Sequence, residues 1–178
     1  MKPMKLLLAA LAGVAATTIG ALAWLAAGGF NFAADVPHSH AVYALIDFAR
    51  DRSVDVRSGG IKAPPLDDPK LIAKGASEYG AMCEGCHLGP GIGDNEFRRG
   101  LYPQPPDLSK PDGSDEDESA EWFWVIKHGI KGSAMPAWGL THDDATIWSI
   151  VAFIRTLPQL TPEQYHQQTA DAAEHHTD

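Results

Sequence analysis

The chain has 178 residues, enough for one compact domain with appendages. Hydrophobic residues make up 44% and charged residues 21%, an ordinary globular balance, and the formal net charge of −9 argues against a nucleic-acid partner. Two cysteines cannot build a disulfide framework, so they have another task.

Residues 1–5 read as a short cytoplasmic leader carrying Lys2 and Lys5. The next 25 residues, Leu6 to Phe30, contain no charge. As a helix this run spans about 37 Å, enough for a hydrocarbon core of about 30 Å with some tilt. The competing reading is a cleaved signal peptide, with "ALA" at 21–23 as its small-residue site. The apolar run continues past that site, and Trp24 and Phe30 suit an interface, so a transmembrane anchor over 6–30 is expected. With the lysines on its N-terminal side, either segment sends the remainder of the chain out of the cytoplasm. The expected location is the bacterial inner membrane, with the main domain facing the periplasm.

Residues 31–65 form a connector. Ser39 is placed to cap a helix in which Val42, Leu45, Ile46 and Ala49 share one apolar face, suited to a membrane surface or a partner. Gly59–Gly60 and Pro64–Pro65 then break the chain. His38 and His40, two apart, are either a metal-binding pair or exposed loop histidines.

From 66 to 160 the pattern is a small, mostly helical domain. Asp68 and Pro69 open a helix in which Leu71, Ile72, Gly75 and Tyr79 fall at helical spacing, Gly75 offering a place for close helix approach. "SAEWFWVIKHG" predicts a second helix capped by Ser119 and ended by Gly129. "THDDATIWSIVAFIRTLP" predicts a third from Thr141 to before Pro158, with Ile147, Ile150, Val151, Ile154 and Leu157 on one stripe. The Gly- and Pro-rich stretch between the first two helices is a long loop that needs something to wrap around. Residues 161–178 read as a polar tail, a frayed helix or disordered.

The two cysteines lie in "AMCEGCHLGPG". In a helical turn Cys83, Cys86 and His87 project on one side. Two thiols so placed can add to the two vinyl groups of a haem while the imidazole reaches its iron, the C-x-x-C-H attachment pattern. A structural zinc site wants four ligands, usually completed by a second Cys/His pair, and the sequence has no partner C-x-x-C. A thioredoxin-like redox pair wants a βαβ setting, and no strand pattern is present. One covalently attached haem c is therefore the expected cofactor.

The sixth iron position separates a carrier from an enzyme, and methionine opposite histidine makes an electron-transfer site. Met1 and Met4 belong to the leader and Met82 abuts Cys83, which leaves Met135, in the loop "KHGIKGSAMPAWG" beside Pro136. The rival is His128, at a helix C-terminus where a histidine often only complements the helix dipole. The expected axial ligands to the haem iron are His87 and Met135.

"CEGCH" followed by "SAMPAW", between a Gly/aromatic helix and an aromatic-rich C-terminal helix, resembles a monohaem class I cytochrome c. It is similar to the c-type subunits of cbb3 oxidases over residues 66–160. The resemblance implies an all-α fold with N- and C-terminal helices crossing and loops wrapping one haem, here preceded by a transmembrane helix and a partly helical connector. It implies thioethers at Cys83 and Cys86, axial ligation by His87 and Met135, and the helix of Gly75 and Tyr79 packed across that of Trp148 and Ile154. It also implies that a proline carbonyl holds the Nδ1–H of His87, with Pro90, Pro103, Pro105 and Pro106 as competitors.

Arg98 and Arg99 either hold haem propionates or face solvent. Trp122, Trp124 and Trp138 either line the haem crevice or are ordinary core. The five acidic residues between 112 and 118 are either helix-start charge and solubility or a docking patch. Together these features describe a membrane-tethered periplasmic monohaem cytochrome c that passes single electrons between respiratory redox partners and has no catalytic residues. An acidic carrier of this kind is steered toward donors and acceptors with basic surfaces. The alternatives are an integral subunit of a dehydrogenase or terminal oxidase complex, and a haem peroxidase-like enzyme.

Overall fold

A computed structural model describes residues 2–110 and 118–174, so most of the acidic run lies outside the described residues. Among the described residues the chain is all helical, with eight α-helices, two 3₁₀ turns and no strand. It divides into two units, Met1–Val36 and Pro37–Asp178.

The first unit is built on α1, Lys2–Ala26. Its apolar side chains stand exposed along its length, and Pro3–Ala26 is long and apolar enough to cross a membrane. The helix stops four residues before the apolar run does, where Gly28 turns the chain at φ 76°. Trp24 and Phe30 meet edge to face across that turn, centroids 6.5 Å apart.

The second unit is organised by the crossing of α3, Pro69–Met82, and α7, Asp144–Ile154. Asp68 caps α3 by accepting from Lys70 N at 3.0 Å. Gly75 is where the two helices touch: a Cβ there would overlap the carbonyl oxygen of Ser149 and press on Cβ of Phe153. Ala76 and Tyr79 on α3 then bury against Ile150 and Phe153 on α7, all essentially without exposure. The helix α6, Ser119–His128, adds Phe123 and Ile126 to this core, with Phe123 stacked on Trp148 at 4.2 Å.

Two helix starts differ from the sequence pattern. Glu118 rather than Ser119 occupies the cap position of α6; Ser119 is already helical and buried, and its hydroxyl accepts from Arg155 at 2.9 Å. Thr141 follows a 3₁₀ turn over Trp138–Leu140, so Asp143 caps α7 by accepting from Thr146 N at 2.8 Å.

The helix α8, Pro162–Glu174, lies in the segment read as a polar tail. It is polar except where it matters: Tyr165 is completely buried, in edge contact with Tyr79 and stacked on Phe153. The missing side chain of Gly89 makes room for the Tyr165 ring. The helix α2, His40–Ser58, starts at Ser39 as expected, but packs on α6 with Val54 and Ser58 buried. Leu45 and Ile46, on the face read as suited to a membrane surface or a partner, are exposed.

Replacing Gly75 with Ala forces α3 and α7 apart. The expected loss of stability is about 1–3 kcal/mol, read as a lowered denaturant midpoint with an unchanged m-value.

Candidate functional site

The turn that carries both cysteines is held at every backbone carbonyl. The Cys83 carbonyl accepts from Cys86 N at 3.1 Å and His87 N at 2.8 Å. The Glu84 carbonyl accepts from Leu88 N at 2.9 Å, giving the four-residue helix α4, Glu84–His87. The side chain of Asn95 donates to the Gly85 carbonyl at 2.9 Å, and Arg98 Nε donates to that of Cys86 at 2.9 Å. The His87 carbonyl accepts from Leu108 N at 3.0 Å, and the Leu88 carbonyl from the Tyr79 hydroxyl at 2.6 Å. The last bond restrains an unusual backbone, since Leu88 has φ 60° and ψ −171°. For a side chain larger than glycine this conformation costs about 1–3 kcal/mol, so its neighbours must hold it.

The wrapping loop closes over this turn through adjacent proline carbonyls. Arg98 is buried; Nη2 donates to the Pro105 carbonyl at 2.6 Å, and Nη1 pairs with Asp94 at 3.1 Å. Nδ1 of His87 lies 3.0 Å from the Pro106 carbonyl. A carbonyl accepts only, so this contact places the proton on Nδ1 and leaves Nε2 with its lone pair. Among the four prolines that compete in the sequence, Pro106 holds the ring. Burial is the main cause that lowers the His87 pKa; the Pro106 bond opposes it, and the nearby Arg98 cation adds to the lowering. The ring is thereby kept neutral, the form that binds a metal.

Cys83 is buried and Cys86 half-buried, and the two are not joined in a disulfide. Burial, with the nearby Cys86, pushes the Cys83 thiol up to about 12. A reactive dithiol needs a lowered thiol pKa, so the thioredoxin-like reading has no support here. Among the described residues no three His, Cys, Asp or Glu side chains gather in a way that would hold a zinc ion. Two free thiols, one lone-pair nitrogen and a rigid turn fit the attachment of a haem.

The loop after α6 positions Met135. Gly129 ends α6 at φ 65°, and a Cβ there would strike the backbone of Met135 and Pro136. Ile130 N donates to the Met135 carbonyl at 3.2 Å, while Met135 N donates to Ser133 Oγ at 3.1 Å. Met135 is half-buried against the core, together with Leu108, Trp122 and Trp138. His128 is exposed, its ring 5.0 Å from that of Trp124.

Other sequence candidates fall elsewhere. Arg98 spends its donors on Cys86, Asp94 and Pro105 rather than facing outward, and Arg99 is exposed. His38 is tied to Tyr102, donating its backbone N–H to the hydroxyl at 3.1 Å with the rings 5.3 Å apart. Three contributors were not singled out from the sequence: Asn95, Glu84 and Tyr165. The hydroxyl of Tyr165 donates to Glu84 at 2.7 Å, which fastens α8 to the cysteine turn. Asn95 had a signal, as a cap residue directly before "EFRR"; it accepts from Arg98 N at 2.8 Å.

Residues 70–154 match the family of cytochrome c oxidase, cbb3-type, subunit III. That segment, which runs from α3 through α7, is a c-type cytochrome domain of the cbb3 type. No curated protein sequence matches the chain. A domain of this family binds haem c and exchanges electrons with redox partners, and the apolar α1 is consistent with a membrane anchor.

Replacing Arg98 with Ala leaves the carbonyls of Cys86 and Pro105, both half-buried, without their donor. The expected cost is about 2–4 kcal/mol in denaturant unfolding, and Lys at 98, which lacks the guanidinium fork, should recover less than half.

Proposed function

We propose that the protein is a membrane-tethered cytochrome that carries one haem, covalently bound, and passes single electrons between redox proteins on the periplasmic side of the bacterial inner membrane. The observation that carries this reading is the His87–Pro106 contact, which leaves Nε2 for iron on the turn that also bears Cys83 and Cys86. In this reading Cys83 and Cys86 would hold the macrocycle through thioethers, and His87 and Met135 would bind its iron. When bound, the haem iron supplies a one-electron couple.

The chain's own residues keep that couple simple. His87 cannot swing away, because Pro106 holds its ring and Leu108 its carbonyl. Met135 sits in a loop closed by its own backbone bonds, which would hold its thioether on a bound iron and favours a carrier over a peroxidase. Trp122 and Trp138 are half-buried against the same core as Met135, where they would limit water around a bound haem. Residues 66–160 carry 8 Lys and Arg against 15 Asp and Glu, a net of −7, which favours partners with basic surfaces.

Met135→Ala tests the assignment. The haem should remain covalently attached, the reduction potential should fall, and the iron should bind added cyanide or imidazole readily. His128→Ala should change none of these. If the His128 variant opens the iron and the Met135 variant does not, ligation is bis-histidine.

A further inference from the structure

Among the described residues of the unit Pro37–Asp178, seven large apolar side chains stand exposed, and five of them lie on α2: Tyr43, Leu45, Ile46, Phe48 and Val56. The other two, Phe97 and Leu140, are isolated, as single surface apolar residues ordinarily are. At about 3.6 residues per turn, Ala41, Leu45, Phe48, Arg52 and Val56 form one stripe along the helix. Leu45, Phe48 and Val56 in that stripe are 68%, 65% and 66% exposed. Val54 and Ser58, which are buried, fall on the opposite side. A helix packed on one side ordinarily presents polar residues to water on the other; α2 presents a second apolar face.

We propose that this stripe lies in the headgroup–acyl boundary of the bilayer that α1 enters, so that α2 is an interfacial foot for the cytochrome unit. The proposal rests on the reading of α1 as a retained membrane anchor. Residues 27–39 separate the two helices, 13 residues that span at most about 45 Å, so a bilayer holding α1 is always within reach of α2. The helix carries Arg50, Arg52 and Arg57 against Asp47, Asp51 and Asp55, a net charge of zero in a chain of net −9, so anionic headgroups do not repel it. Two of these arginines are paired along the helix, Arg50 with Asp47 and Arg52 with Asp55. Arg52, within the stripe, has the long stem that lies along apolar surface while its guanidinium reaches headgroups. Because α2 is packed on α6, a seated stripe also fixes which way the cytochrome unit faces above the membrane.

The test uses the full-length, haem-loaded chain in phosphatidylcholine–phosphatidylglycerol vesicles. An environment-sensitive dye is attached to Ala49→Cys, beside the stripe, or to Gln167→Cys on α8, Cys83 and Cys86 being occupied by haem. Fluorescence is compared between ordinary and acyl-brominated lipids, so that quenching by the haem cancels. The proposal expects loss of fluorescence at 49, none at 167, and recovery at 49 when Leu45→Ser and Phe48→Ser are added. No loss at 49 in chain that survives an alkaline wash of the vesicles overturns the proposal and leaves the stripe to a protein partner. Equal loss at 49 and 167 overturns it as indiscriminate adsorption. Chain that washes off the vesicles shows instead that the anchor reading has failed, and the interfacial foot with it.

Discussion

The rest of the domain depends on the immobilisation of one turn. Six consecutive backbone carbonyls, from Cys83 to Leu88, each accept a hydrogen bond, and the donors come from the turn itself and from four residues in three other parts of the chain. Tyr79 reaches in from α3, Arg98 from the short helix α5, Glu96–Arg99, Asn95 from the cap position of that helix, and Leu108 from the end of the wrapping loop. Loop backbone in a small domain is ordinarily satisfied by water and free to move. Here fixed donors take the place of water, and Cys83, Cys86 and His87 become a rigid set.

That requirement explains why the helices are arranged as they are. Tyr79 can serve the turn only if α3 is locked in place, which the close crossing at Gly75 and Ser149 does. The far side of the same tyrosine is covered by Tyr165, whose hydroxyl also reaches Glu84 within the turn. Burial raises the pKa of both tyrosines, so both stay protonated donors across the physiological range. The helix α8 is thus a strap over the cysteine turn, and it starts beyond residue 154, where the family match ends.

Much of this was legible in the sequence where local signals agree. Gly75 marked the crossing, Gly129 the end of α6, and the cysteine pair with His87 the turn. What the sequence left open or missed shares a physical cause. Arg98 looks like any surface arginine, because its partners are carbonyls that a loop brings together only on folding. Pro106 is one of several prolines, and only the path of that loop selects it. The segment 161–178 reads as polar because a single residue, Tyr165, carries its burial. For α2, periodicity reported an apolar face suited to a membrane surface or a partner; the second, buried side was not legible, because Val54 and Ser58 make a weak pattern of their own.

The central claim is that the turn at Cys83–His87 exists to carry a covalently held haem. The most direct measurement is the intact mass of the membrane-extracted protein under denaturing, acidic conditions, with the absorption spectrum of the same sample in alkaline pyridine. The account predicts a chain heavier by one haem that acid–acetone does not remove, with the spectrum of a haem whose two vinyl groups are both saturated. A chain of unmodified mass, from native membranes competent for haem attachment, would contradict it.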